Sequence, residues 1–153
     1  MEIAEKLRIN ALNDGISFTF ETVLSTTSKM DFIKQAKEAG YRISTIYVVT
    51  SDCNININRI KARVKKGGHD VPTDKVILRY QRCLDLMGEV ILLSDDVKIY
   101  DNSLSKPVLV FEKKDGEKYL LNREQRHSFI DKYVLLNGDK ITEDLDCDET
   151  NKR

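Results

Sequence analysis

At 153 residues, with 41% hydrophobic and 33% charged side chains, the chain is sized for one globular domain with its own core. Its 25 basic and 25 acidic residues cancel, which argues against a protein held to nucleic acid by bulk charge. Two prolines and seven glycines exclude a linker-rich chain, the longest apolar run (residues 43–49) is too short to span a bilayer, and MEIAEKLR lacks the pattern of a secretory signal, so the expected location is the cytoplasm.

Residues 2–12 (EIAEKLRINAL) place Ile3, Leu7 and Ala11 on one face, and Asn13, Asp14 and Gly15 end the predicted helix. In ISFTFETVL, Phe18 and Phe20 alternate with Ser17 and Thr19, the pattern of a strand. STTSKMDFIKQAKEAG reads as a helix with Met30, Ile33 and Ala36 inward and Gly40 as its stop. YRISTIYVVT is apolar nearly throughout, as expected of a strand buried on both faces of a parallel sheet, with SFTFET as its neighbour. Ile57, Ile60 and Val64 then recur at helical spacing, while Asn56, Arg59 and Arg63 share another face.

Thr73 is the expected N-cap of a further helix, whose apolar stripe is Val76, Ile77, Tyr80, Leu84 and Met87. Lys75, Arg79 and Arg82 form a basic stripe on its other side. EVILLSDD and VKIYDNS supply one or two more extended segments, and PVLVFEKKDGEKYLL reads as a hairpin turning at Asp115 and Gly116. This order predicts an α/β layered sheet of three to five strands, mostly parallel, with a C-terminal antiparallel hairpin. Residues 1–140 form the expected domain, and residues 141–153, with five acids in 143–149, read as a solvated, disordered tail. Cys53, Cys83 and Cys147 are isolated, and with His69 and His127 they make no metal-ligand spacing, so no metal is expected.

The sequence contains no GxxxxGK[ST], GxGxxG, GxSxG or HExxH. Three stretches remain. SFTFETVLS puts Glu21 and Thr22 at a predicted strand end, where open α/β sheets gather ligands; a carboxylate capping the next helix is the alternative. RIKARVKKGGHDVP sets Arg59 and Arg63 one turn apart, and planar guanidinium donors suit phosphate oxygens; a solvated charged face is the alternative. Gly67 and Gly68 there fit either a corner between two helices or the hinge of a basic lid. KIYDNS leaves Asn102 able to pair with a base edge or to form a plain Asx turn.

In order and wording, FETxLS, the apolar strand, RxxxRVxxGGHxVP, a helix carrying Arg79 and Tyr80, and YDNS resemble the zeta-toxin-like family of P-loop kinases and predicted ATPases, over residues 4–110. The resemblance implies a P-loop-kinase-like fold with a basic lid, ATP and Mg²⁺ as cofactors, and in the toxins a nucleotide-activated amino sugar as acceptor. It implies Arg63, with Arg59 a turn earlier, as the catalytic lid arginines, Glu21 and Thr22 as acceptor-binding, and Asn102 on the adenine side. Gly67 and Gly68 become the lid hinge, followed by His69 where the toxins carry a second lid arginine. Val23 replaces a family threonine.

The family's opening strand, its glycine-rich loop ending in Lys-Ser/Thr and the following catalytic aspartate have no counterpart in this sequence, which starts at the family's substrate helix. Phosphoryl transfer rests on those parts. The expected function is therefore a truncated zeta-toxin-like kinase or ATPase with little or no catalysis of its own. One alternative is a non-catalytic interaction module, self-associating through a bare sheet edge or bound by an antitoxin-like partner. Another is a nucleic-acid binder using Arg59, Arg63, Lys65, Lys66, Arg79 and Arg82, which the zero net charge disfavours. No membrane partner is expected.

Overall fold

The computed structural model describes residues 3–121 and 130–134; His127, Cys147 and the acidic segment 141–153 lie outside them. The elements run α1 (Ile3–Asn13), α2 (Thr27–Glu38), β1 (Ser44–Val49), α3 (Cys53–Val64), α4 (Thr73–Leu93), β2 (Asp96–Asp101), β3 (Val108–Lys114), β4 (Glu117–Leu120) and a π-helical turn (Ile130–Val134). The strands form one sheet in the order β1-β2-β3-β4. The α/β class is the expected one, but the sheet is mixed rather than mostly parallel: β1 and β2 run parallel, while β2–β3 and β3–β4 run antiparallel. Parallel neighbours need a long crossover, which α3 and α4 supply once. The short links after β2 and β3 can only turn the chain back.

The hairpin follows from its turn residues. Asp115 and Gly116 have φ of 50° and 86°, both positive, the geometry that matches the twist of a two-residue hairpin. Of the one or two extended segments expected from EVILLSDD and VKIYDNS one forms, β2 from Asp96, because Glu89 to Leu93 continue α4. That helix opens on Pro72 as N-cap, one residue before the expected Thr73. Its stripe buries Val76, Leu84, Met87, Val90 and Ile91, whereas Ile77 points to solvent.

The core lies between α4 and one face of the sheet. Leu84, Met87 and Ile91 pack with Val97, Ile99, Val110, Phe111 and Leu120, closed by Ile130 and Val134. Val110 and Phe111 are adjacent yet both buried. The pairing explains it: Ile99 faces Phe111 and Tyr100 faces Leu109, leaving Val110 as the extra residue of a β-bulge. Lys113 donates to the carbonyl oxygens of Ile91 (2.8 Å) and Ser94 (2.6 Å), setting a cation against the C-terminal end of α4.

Two expectations about the first strands are overturned. Residues 16–25 form neither helix nor strand and belong to no sheet. Phe18 and Phe20 alternate as read, but they serve packing on α2: ring centroids lie 5.9 Å (Phe18) and 5.7 Å (Phe20) from Phe32, and Phe18 lies 6.1 Å from Tyr41. Leu24, at φ 51°, is buried beside Met30 and Val90, and its N–H donates to the Thr22 hydroxyl at 3.1 Å. β1 is also not covered on both faces. Tyr47 and Val49 meet the α4 side, while Ile46 and Val48 are 70% and 56% exposed.

Charged groups fasten the β1–β2 start. Arg42 donates two bonds to Asp96, at 3.0 and 2.9 Å. Asp95 accepts from Lys37 at 2.6 Å and from the Ile43 N–H at 2.8 Å, and these bonds hold its carboxyl below the usual value. A carboxyl with a lowered folded-state pKa stabilises above its unfolded value, about 3.9, and loses that contribution as pH falls below it. Urea titrations at decreasing pH are therefore expected to show an acid-side decline that Asp95→Asn makes shallower.

α1 buries none of its residues; Ile3 and Leu7 are 79% and 63% exposed. The Tyr41 hydroxyl donates to the Ala11 carbonyl at its end (2.9 Å), and the Arg8 guanidinium lies 5.4 Å from the Phe20 ring centroid. No helix among the described residues is long and apolar enough to cross a membrane.

Candidate functional site

The carboxyl end of β1 is tied to both following helices. Asp52 caps α3, accepting the Asn54 N–H at 2.8 Å, a bond that holds its carboxyl below the usual range. The Asn56 amide donates to the Thr50 hydroxyl (2.9 Å), and the Tyr80 hydroxyl donates to the Thr50 carbonyl (2.7 Å). Burial pushes the Tyr80 phenol up to about 12. Tyr47 donates to the Cys83 carbonyl at 2.6 Å, and burial raises its phenol as well. Asn102 follows β2, with its N–H on the Val49 carbonyl at 2.7 Å.

These ties frame a groove of about 970 Å³ between β1, residues 19–24, α3 and α4. Glu21, Thr22, Arg59, Arg79 and Asn102 all line it, coming from four separate segments. Arg59 also donates to the Leu104 carbonyl at 3.2 Å. Arg63, Gly67, Gly68 and His69 are not part of its wall, nor are Lys75 and Arg82.

Arg63 is engaged elsewhere, and the glycine pair shows why. Gly67, at φ 85°, closes α3: its N–H bonds the Val64 carbonyl (2.9 Å) and the Gly68 N–H bonds the Arg63 carbonyl (3.1 Å). This is the paired closure that favours glycine at the first position past the cap. A Cβ at Gly68 would stand 2.6 Å from Arg63 Cγ, so the arginine side chain lies directly over that residue. Its guanidinium then donates to the His69 carbonyl at 3.2 Å. The pair thus has the geometry of a helix end. Gly67→Ala is expected to cost about 1 kcal/mol, since alanine resists positive φ, and a urea denaturation midpoint will record it.

The groove's charged side chains are Arg59, Arg79 and Glu21. Two guanidinium groups against one carboxylate suit a phosphorylated ligand that also offers a hydroxyl or amide donor to Glu21. A triphosphate finds no cradle among the described residues. The positive-φ glycines sit at helix C-terminal ends (Gly15, Gly40, Gly67) and in the hairpin (Gly116), while α2, α3 and α4 open on Thr26, Asp52 and Pro72. The Asp52 carboxylate already occupies the N-terminus of α3 and would repel phosphate.

Asn56 and Tyr80 were not singled out as site residues from the sequence. Asn56 shares the helix face of Arg59, as its spacing indicated, but its bond to Thr50 depends on where β1 ends. Tyr80 sits in the apolar stripe as read, yet its hydroxyl reaches past the core to Thr50.

An uncharacterized protein of Haemophilus influenzae is 41% identical to this chain over 70 residues, which is 46% of this chain and 50% of that protein. The match thus spans half the length of that relative. No solved structure matches the chain. The zeta toxin family model matches residues 1–125, most of the chain and all of the groove, and the chain belongs to the zeta toxin family.

Proposed function

We propose that this chain is a ligand-holding module of the zeta toxin type, which binds a nucleotide-activated sugar in the β1 groove and carries little or no phosphoryl transfer of its own. One observation carries the proposal: Glu21, Thr22, Arg59, Arg79 and Asn102 line a single groove. Glu21 and Thr22 hold the acceptor, Arg59 and Arg79 meet its phosphates, and Asn102 lies on the nucleotide side. Arg63 joins the arginines only on leaving the His69 carbonyl. ATP with Mg²⁺ is the family's phosphoryl donor. Among the described residues nothing replaces the loop that would hold its phosphates, so no transfer step is assigned to this chain.

Calorimetry tests this directly. A nucleoside diphosphate amino sugar is expected to bind more tightly than about 1 mM, and ATP with Mg²⁺ no tighter than that, about 4 kcal/mol. Micromolar ATP affinity would overturn the assignment of a ligand-holding role without transfer. Absence of sugar-nucleotide binding would overturn the groove's role.

A second reading, a non-catalytic interaction module in the cytoplasm, is favoured by the solvent-exposed face of β1, where Ile46 and Val48 point away from α4. An antitoxin-like protein or a second copy are its proposed partners, distinguished by light scattering on the chain alone and with the candidate partner.

A further inference from the structure

We propose that the free edge of β1 takes up one extended strand from a partner chain, held by backbone hydrogen bonds and bearing an acidic residue at the end that lies by Arg59 and Arg79. Among the described residues β1 stands at the end of the sheet, so only one of its edges is paired there. The Ile43 carbonyl accepts from Asp95 and Asp96, and the Val49 carbonyl from Asn102, all on the β2 side. Backbone groups of successive strand residues turn to opposite edges, so residues 43, 45, 47 and 49 serve β2. Ser44, Ile46 and Val48 turn their N–H and C=O groups to the free edge.

That edge borders the groove. Every residue from 43 to 50 lines it, whereas a groove over one sheet face would touch alternate residues. Exposed edges are ordinarily blunted by lysine, proline or a bulge. ISTIYVV carries no charge or proline, while β4 at the opposite edge carries Glu117 and Lys118.

The occupant is a single strand and not a second copy of the domain. A groove of about 970 Å³, walled by β1 on one side and residues 19–24 on the other, has room for one extended segment but not for a folded domain. The β1 edge of another copy lies inside its own slot and cannot enter this one. Residues 19–24 form the far wall and are held there by Phe20 on α2 and by buried Leu24. The slot is apolar along β1, with Ile46, Val48 and Val23 exposed beside it. At the Thr50 end Tyr80, next to Arg79, bonds the strand, and Asn56, one turn from Arg59, bonds Thr50, so the cations gather there and an acid on the incoming strand is complementary.

The inference goes beyond the sugar-nucleotide reading and does not depend on it, because β1 backbone amides report the strand while calorimetry reports the phosphate ligand. The test is amide hydrogen exchange by NMR on the full chain, with a capped peptide of alternating valine and threonine ended by glutamate on both sides. At about millimolar peptide, the Ser44, Ile46 and Val48 amides are expected to slow by tenfold or more, approximately, with Val97 and Ile99 unchanged. The same peptide N-methylated throughout, or ended by lysine, is expected to protect far less. Ile46→Pro removes an outward N–H that no bond among the described residues uses and is expected to abolish protection at Ser44 and Val48. No protection by the glutamate peptide, equal protection by the N-methylated or lysine-ended peptide, or protection unaltered by Ile46→Pro would overturn the proposal. So would slow exchange of those three amides without peptide, which would mean that residues 19–24 or another copy already pair with the edge.

Discussion

Phe111→Ala is expected to lower stability by about 3–5 kcal/mol, the usual cost of removing a large ring from a packed interior. Phe111 is fully buried, faces Ile99 on one neighbouring strand and Leu120 on the other, and packs in the cluster under α4. Removing the ring leaves a void that three strands and a helix must tolerate together. Domains are stable by only about 5–15 kcal/mol, so the change consumes a large fraction of the total. The melting temperature is expected to fall by on the order of 10 °C. Calorimetry on the purified variant measures it. Ile46→Ala provides the contrast: 70% exposed on the open face, it is expected to change stability by less than about 0.5 kcal/mol. Equal effects at the two positions would mean that the core does not sit on the α4 side of the sheet.

The second large effect concerns affinity. Arg79→Glu is expected to weaken a nucleoside diphosphate sugar by about tenfold or more, or 1.4 kcal/mol, because it removes one cation from the groove and adds an anion. The residual affinity will depend less on salt, since fewer charges face the phosphates. Arg79 is exposed and makes no hydrogen bond to another of the described residues, so the melting temperature is expected to move little. Arg82→Glu, three residues along the same helix but outside the groove wall, is the matched control with about twofold change at most. If both substitutions weaken binding equally, the effect is general charge and not the groove.

What the sequence revealed was mostly what local chemistry decides. Asp115 and Gly116 name their turn because only residues tolerant of positive φ fit it. The α4 stripe names its buried side through helical spacing, apart from Ile77, which lies at the margin of the stripe and faces water. SFTFET shows the opposite limit. Its period of two correctly marks the alternation of half-buried Phe18 and Phe20 with exposed neighbours, but that period says nothing about whether the next neighbour is a strand edge or a ring. Phe32 and Tyr41 supplied rings. The run in β1 is apolar on both faces whether or not anything covers the second face, so its exposure could not be read.

The candidate site divides the same way. Arg59 and Arg63 are one turn apart and look equivalent in spacing. They differ because α3 ends at Gly67 and the returning backbone brings the His69 carbonyl to Arg63, while Arg59 remains in the groove wall. Helix ends are legible; where the chain goes after them is a tertiary fact. Glu21, Thr22 and Asn102 were read as strand-end residues, and Glu21 and Thr22 line the groove without the strand that was expected to carry them.

The weak seating of α1 has a consequence for how the molecule comes apart. With no buried side chain, this helix contributes little to the cooperative unit formed by α4 and the sheet. Among the described residues its polar tethers are one tyrosine hydroxyl and one cation–π contact, the latter worth about 0.5–1 kcal/mol at an exposed site, with Ala11 and Leu12 only half-buried. Opening of α1 is therefore a local event with its own small free energy, far below that of global unfolding. A protease that nicks the chain after Asn13 would release the first turns and leave the remaining domain folded.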